Sequence, residues 1–136
     1  LYDRADYETH LEPVCVKEGL GVIPYFSLAA GFLTGKYRSE GDLTKSPRGR
    51  FVQKYLNDRG FRILDTLDQI SKERKIKPGQ IAIAWLLARP SITAPIASAT
   101  SLEQLRDLVD AVNLQLSAAE VNRLNQASAY EVTVSK

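Results

Sequence analysis

Two stretches of this 136-residue chain hold residue types suited to gripping a phosphorylated ligand. The first runs from Ser27 to Lys36 and combines small residues, two glycines and a lysine. Small side chains let backbone N–H groups approach an anion closely, and a lysine adds charge. The second runs from Ala97 to Gln104, with hydroxyls at Ser98 and Thr100. It leads into a helix whose first turn favours negative charge. Between them, residues 36–62 carry eight Lys/Arg against three acids. That segment is +5 in a chain of net +2, which suggests a phosphate-bearing small ligand or a nucleic acid. The plainer alternative is a solvated loop.

Neither stretch is a standard nucleotide fingerprint. There is no G-x-G-x-x-G, and Gly31-x3-Gly35-Lys36 is one residue too short for a P-loop, with Tyr37 where Ser or Thr belongs. Turn geometry alone also accounts for Gly31 and Gly35, and helix capping accounts for Gln104. Groups that could carry a reaction are scarce. His10, the one histidine, is expected on a solvent-facing helix side, and Cys15 on an apolar one. No Cys/His/Asp cluster has metal spacing, and no nucleophile sits in an elbow. Tyr25 and Lys36 can donate protons, but nothing in the sequence pairs them. The residues read as a binding site without a visible reaction.

The elements that position these stretches follow from periodicity. Leu1-Tyr2 reads as the end of a strand. A helix follows, capped by Asp6, with Leu11, Val14 and Cys15 on its apolar face. Leu20 to Ser27 reads as a strand buried on both faces, although Pro24 argues against a central place. Residues 38–59 form a long basic loop with a short helix over 49–57. Phe61, Leu64, Leu67 and Ile70 mark a helix over 60–74. Pro78 opens an all-round apolar helix through Trp85, which must be covered on most sides. Ile92 to Ala97 is another short strand. Ser101/Gln104 and Ser117/Glu120 have capping-box form. The first opens a helix with Leu102, Leu105, Leu108, Val109 and Val112 on one face; the second turns Val121 and Leu124 inward. The tail after Tyr130 is expected to fray.

Strands alternating with helices imply a parallel α/β arrangement. Only about three strands are legible, too few to close a sheet. The chain therefore reads as a slice of a larger barrel, expected to be unfolded or aggregating by itself. Methionine is absent even at position 1, as an internal segment would show. The single cysteine excludes an internal disulfide. No apolar run is long enough to span a membrane, and no signal peptide is visible, so a cytoplasmic location is expected.

Three motifs together resemble the aldo-keto reductases. Tyr25-Phe26-Ser27-Leu28-Ala29-Ala30-Gly31-Phe32-Leu33-Thr34-Gly35-Lys36-Tyr37 resembles that family's seventh-strand segment. Gln80-Ile81-Ala82-Ile83-Ala84-Trp85-Leu86-Leu87 resembles its helix before the last strand. Pro95-Ile96-Ala97-Ser98-Ala99-Thr100-Ser101-Leu102-Glu103-Gln104-Leu105 is similar to its eighth strand and following turn. The resemblance covers about Leu1 to Ala127. It implies the C-terminal part of a TIM (β/α)8 barrel, the sixth to eighth strand units, that uses NADPH to reduce a carbonyl. By the resemblance, Phe26, Ser27, Leu28, Ala29, Ala30, Leu33 and Lys36 line the pyrophosphate and nicotinamide side. Arg48 or Arg50 matches a loop arginine that closes over the cofactor. Ser98, Thr100, Gln104 and Asp107 match positions holding the 2′-phosphate, ribose and adenine, and Tyr25 the aromatic that stacks on nicotinamide.

Thr100 stands where the family carries Arg or Ser, and Leu108 where it carries Asn, which leaves NADPH against NADH open. The family's tyrosine acid and its lysine, aspartate and histidine partners lie on earlier strands. No catalytic or metal residue is therefore assigned here. The expected partners are a small carbonyl substrate and the N-terminal part of the same barrel, with no nucleic acid and no membrane. One alternative is an NADPH-binding regulatory or sensor subunit of the same fold. A nucleic-acid module using Phe51, Tyr55 and Phe61 has no recognised reader motif behind it.

Overall fold

The computed structural model describes residues 1–130; the expected frayed tail lies outside them. A π-helical turn, Tyr7–Leu11, runs into helix α1, Glu12–Lys17. Asp6 does not cap it. Its backbone is already helical, and its carboxylate meets His10 Nδ1 at 3.0 Å instead. His10 is exposed as expected. The helix's apolar face is not covered: Leu11 and Val14 stay more than half exposed, and Cys15 is half-buried.

Of the three expected strands, Leu1-Tyr2 forms none; the other two run side by side, but among the described residues only the isolated parallel bridge Val22–Ile92 is formed. Thr93 N–H donates to the Val22 carbonyl at 2.8 Å, and Ile96 N–H to Pro24 at 2.9 Å. A lone pair of short strands is marginal without neighbours, and Pro24 removes a donor from the ladder.

The basic loop is not open coil. It winds through 3-10 turns at Glu40–Lys45, Gly49–Phe51 and Gln53–Tyr55, the last two in place of the expected single helix. Asp42 ties the first of these. Its carboxylate accepts from Lys45 and from the Arg38 and Ser39 N–H groups, which hold its pKa down at about 2.

Helix α2, Asp58–Arg74, follows the periodic stripe. Its Ile63, Leu64, Leu67 and Ile70 are fully buried, and Asn57 caps it by accepting from Gly60 N–H at 3.0 Å. Helix α3, Pro78–Leu87, starts at its proline and buries Ile81 through Leu86. Trp85 Nε1–H donates to Asn125 at 3.0 Å, so the polar edge of the buried ring is satisfied. Helix α4, Leu102–Val112, carries Leu102, Leu105, Val109 and Val112 on one exposed face. Among the described residues no element covers that face. Helix α5, Ala118–Ala127, buries Leu124 and starts from the full Ser117/Glu120 box. Arg74 Nη1 lies 3.0 Å from both Glu120 oxygens, which locks α5 to the end of α2.

Tyr2, Phe32 and Tyr55 form an aromatic cluster beside this core. The Phe32 and Tyr55 rings stack at 5.3 Å, and Tyr2 meets Tyr55 edge-on at 4.7 Å. The cluster anchors the inner side of the Ser27–Lys36 segment.

Candidate functional site

The small-residue segment is held in an uncommon backbone path. Phe26, Ala29 and Ala30 have φ of 57°, 49° and 56°, and Gly31 and Gly35 have 94° and 81°. Left-handed geometry costs a non-glycine residue roughly 1–2 kcal/mol, so surrounding contacts must over-determine the turn. Ala29 N–H donates to Phe26 O at 2.8 Å, Gly31 N–H to Leu28 O at 2.9 Å, and the Thr34 hydroxyl to Gly31 O at 2.7 Å. Phe32 and Leu33 are buried just beyond. Strain fixed in this way is characteristic of ligand-holding segments. Gly31 also makes room for Lys36: a Cβ there would lie 2.9 Å from Lys36 Cε and 3.1 Å from its Nζ.

A groove of ≈ 990 Å³ opens between this turn, loop residues 46–51, the start of α3 and the start of α4. Tyr25, Phe26, Ser27, Leu28, Ala30, Lys36, Arg48, Ser98, Thr100, Gln104 and Asp107 all line it. Ala29, Leu33 and Arg50 do not. They face a second cavity of ≈ 1060 Å³, beside Leu1, Tyr2, Tyr55 and Trp85. The reason is packing: Ala29 and Leu33 are 5% and 1% exposed, turned into the core, and the Arg50 guanidinium sits 4.7 Å over the Phe51 ring.

The basic segment separates into spent and available charge. Arg38 pairs with Asp68 at 2.8 Å, Lys45 with Asp42 at 2.6 Å, and Lys54 with Asp3 at 3.0 Å. Arg59 lies over the Tyr2 and Tyr130 rings and donates to the Ser128 carbonyl. Among the described residues no carboxylate pairs with Lys36 or Arg48, and both line the groove. Arg48 Nη1 reaches Ser98 Oγ at 3.4 Å and so bridges the loop to the second stretch.

At the α4 end, only half of the first expected capping box forms. Ser101 Oγ accepts from Gln104 N–H at 3.2 Å. Gln104 Oε1 does not return to Ser101; it accepts from the Thr100 N–H and hydroxyl at 2.9 and 3.1 Å. The turn is thereby rigidified with Thr100 and Gln104 together on the groove wall. Lys77, which sequence reasoning missed, places Nζ 2.7 Å from both Asp107 Oδ2 and Glu103 Oε1. Hydrogen bonds to Asp107 and then Glu103 push its pKa up to about 12. A lysine before a helix-opening proline carries no sequence signal for this contact, because its partners are 26 and 30 residues away.

The arrangement offers cations and hydroxyls along one groove, which suits an elongated anionic ligand. It offers no acid–base pair. Among the described residues no group of His, Cys, Asp and Glu is placed to hold a metal ion, and no helix is long and apolar enough to cross a membrane.

The aldo/keto reductase family model matches residues 1–129. The chain belongs to the aldo/keto reductase family. An uncharacterized oxidoreductase, YrpG, of Bacillus subtilis is 33% identical over 119 residues, covering 87% of this chain and 35% of its own length. A Schizosaccharomyces pombe protein named aldo-keto reductase yakc [NADP(+)] is 29% identical, with 83% and 34% coverage. Among solved structures, a thermostable aldo-keto reductase in complex with the inhibitor epalrestat superimposes with a TM-score of 0.65 at 26% identity. It covers 92% of this chain and 36% of its own. This aldo/keto reductase chain thus has the family's fold and spans about a third of the length of the curated relatives it matches.

Proposed function

We propose that this aldo/keto reductase chain holds NADPH in the groove and serves an oxidoreductase that transfers hydride to an aldehyde or ketone. The observation that carries this is the pairing of two uncompensated cations, Lys36 and Arg48, with a left-handed glycine turn along one groove. A Cβ at Gly31 would lie 2.9 Å from Lys36 Cε, so the glycine leaves room for that side chain where it stands. The donor set fits a dinucleotide. Lys36 would meet the pyrophosphate beside the small-residue turn. Arg48, Ser98 and Thr100 would meet the 2′-phosphate, and Gln104 and Asp107 the ribose and adenine. Tyr25, 76% exposed on the groove wall, offers a ring face to the nicotinamide.

Bound there, NADPH supplies the hydride; this chain's own residues bind and orient it. Protonation of the carbonyl oxygen belongs to a tyrosine on barrel strands outside this chain. The exposed apolar side chains of α1 and α4 are the surfaces on which the rest of such a barrel would pack. The test is fluorescence titration of the complete barrel protein with NADPH, followed by turnover of 4-nitrobenzaldehyde. Saturable binding with turnover supports the reading. Tight binding without turnover identifies an NADPH-responsive subunit instead, and no binding removes both.

A further inference from the structure

Of the charged side chains that line the groove among the described residues, Lys77 is the one the cofactor reading does not use. It stands at the N-cap of α3, where its own N–H donates to Gln80 Oε1 at 3.0 Å. From there its ammonium crosses to α4 and lies 2.7 Å from carboxylates one turn apart, Glu103 and Asp107. Lys77 and Asp107 both line the groove, on the same wall as Thr100 and Gln104. The turn from Ser98 to Ser101 carries no charged residue. Beyond Arg48, which reaches Ser98 from the loop, the charge beside this turn is this cluster: one ammonium against two carboxylates, net −1 with Lys77 and −2 without it.

We propose that Lys77 is a specificity-determining residue that sets how well the groove tolerates a 2′-phosphorylated dinucleotide, by neutralising and holding Glu103 and Asp107. The inference rests on the cofactor reading above. The two dinucleotides differ by a phosphate at the ribose 2′ position, which carries roughly −1.5 to −2 near neutral pH, against a neutral hydroxyl. An uncompensated carboxylate on the wall repels the first and leaves the second almost unaffected. It can even accept a hydrogen bond from the 2′-hydroxyl. Holding both carboxylates on one ammonium reduces the repulsion.

The experiment measures Kd for NADPH and NADH with the complete barrel protein, by fluorescence titration at low and moderate salt. Four forms are compared: the unsubstituted protein, Lys77→Met, Lys77→Arg and Glu103→Gln/Asp107→Asn. Lys77→Met is expected to lower the NADPH-to-NADH affinity ratio by about three- to tenfold at low salt, and by less as salt rises. Lys77→Arg should keep the ratio within about twofold, since the charge is retained. Glu103→Gln/Asp107→Asn frees the ammonium and should move the ratio toward NADPH, which keeps the proposal testable should Lys77→Met fold poorly. A purely bracing role for Lys77 weakens both dinucleotides equally, and that result, or an unchanged ratio, overturns the proposal while the cofactor reading stands. Binding of neither dinucleotide by the unsubstituted protein overturns the cofactor reading, and the proposal with it.

Discussion

Gly60→Ala poses two opposing effects that the geometry ranks. Gly60 is in the first turn of α2, and alanine is favoured over glycine inside a helix by about 1 kcal/mol. On propensity alone the substitution would stabilise. A Cβ at this position, however, lies 1.8 Å from the Tyr55 carbonyl oxygen, 3.0 Å from its carbon and 3.1 Å from Phe32 Cζ. Carbon–oxygen contacts settle at roughly 3.3–3.6 Å, so the Tyr55 carbonyl must retreat by about 1.5 Å. That retreat pulls on the Asn57 cap, worth about 1 kcal/mol, and on the Tyr55–Phe32 stack, worth about 0.5–1.5 kcal/mol. Overpacking adds about 1–3 kcal/mol. After the propensity gain the net loss is about 1.5–4.5 kcal/mol. Urea unfolding of the complete protein measures it. Gly41→Ala serves as the control, because its Cβ would meet only Ser39 Oγ at 3.6 Å, and should change stability by under about 1 kcal/mol. A Gly60→Ala variant as stable as the parent, or more so, refutes the steric reasoning.

Other expectations concern the groove, the α2–α5 lock and the exposed apolar faces. Lys36→Ala and Arg48→Ala should each weaken NADPH binding by about 1–3 kcal/mol; titration showing unchanged affinity in both removes their assigned roles. For Glu120, burial pushes the carboxyl pKa up, but hydrogen bonds from the Ser117 N–H, the Ser117 hydroxyl and Arg74 outweigh it and hold it below the ordinary value. A depressed folded-state pKa stabilises above the unfolded carboxylate value, and that stability is lost as pH falls through the depressed one. Glu120→Gln should therefore cost about 1–2 kcal/mol near neutral pH and progressively less on acidification, read from unfolding midpoints; a pH-independent difference contradicts this. Expressed by itself, the 136-residue chain should aggregate through the exposed side chains of α1 and α4, and a monomer with a cooperative melt would count against that expectation.

Where a pattern is local, the sequence carried it into the fold. The stripe from Phe61 to Ile70 specifies α2 because burial there repeats every helical turn. Pro78 and the apolar run after it specify α3, and Ser117/Glu120 the start of α5, for equally local reasons. The groove-lining residues at both stretches were legible through family resemblance, whereas composition suggested only an anion site. What escaped depends on distant partners. Positive φ at Phe26, Ala29 and Ala30 leaves no trace in residue type, because alanine and phenylalanine do not favour it. Ala29 and Leu33 turn inward because the core behind the turn has room for them. Asp6 resembles a cap, but the chain before it is already helical. Lys77 meets α4 only after α3 and α4 have packed.

In the proposed reading one groove, built from residues 25–36 and 96–108, holds NADPH. Hydrogen exchange on the complete protein with and without NADPH tests it most directly, because it reads the location of binding rather than its existence. NADPH held in the groove slows exchange in the amides of residues 26–36 and 98–104, with little change in α5. Protection confined to other segments, or none in these two under saturating NADPH, would contradict it.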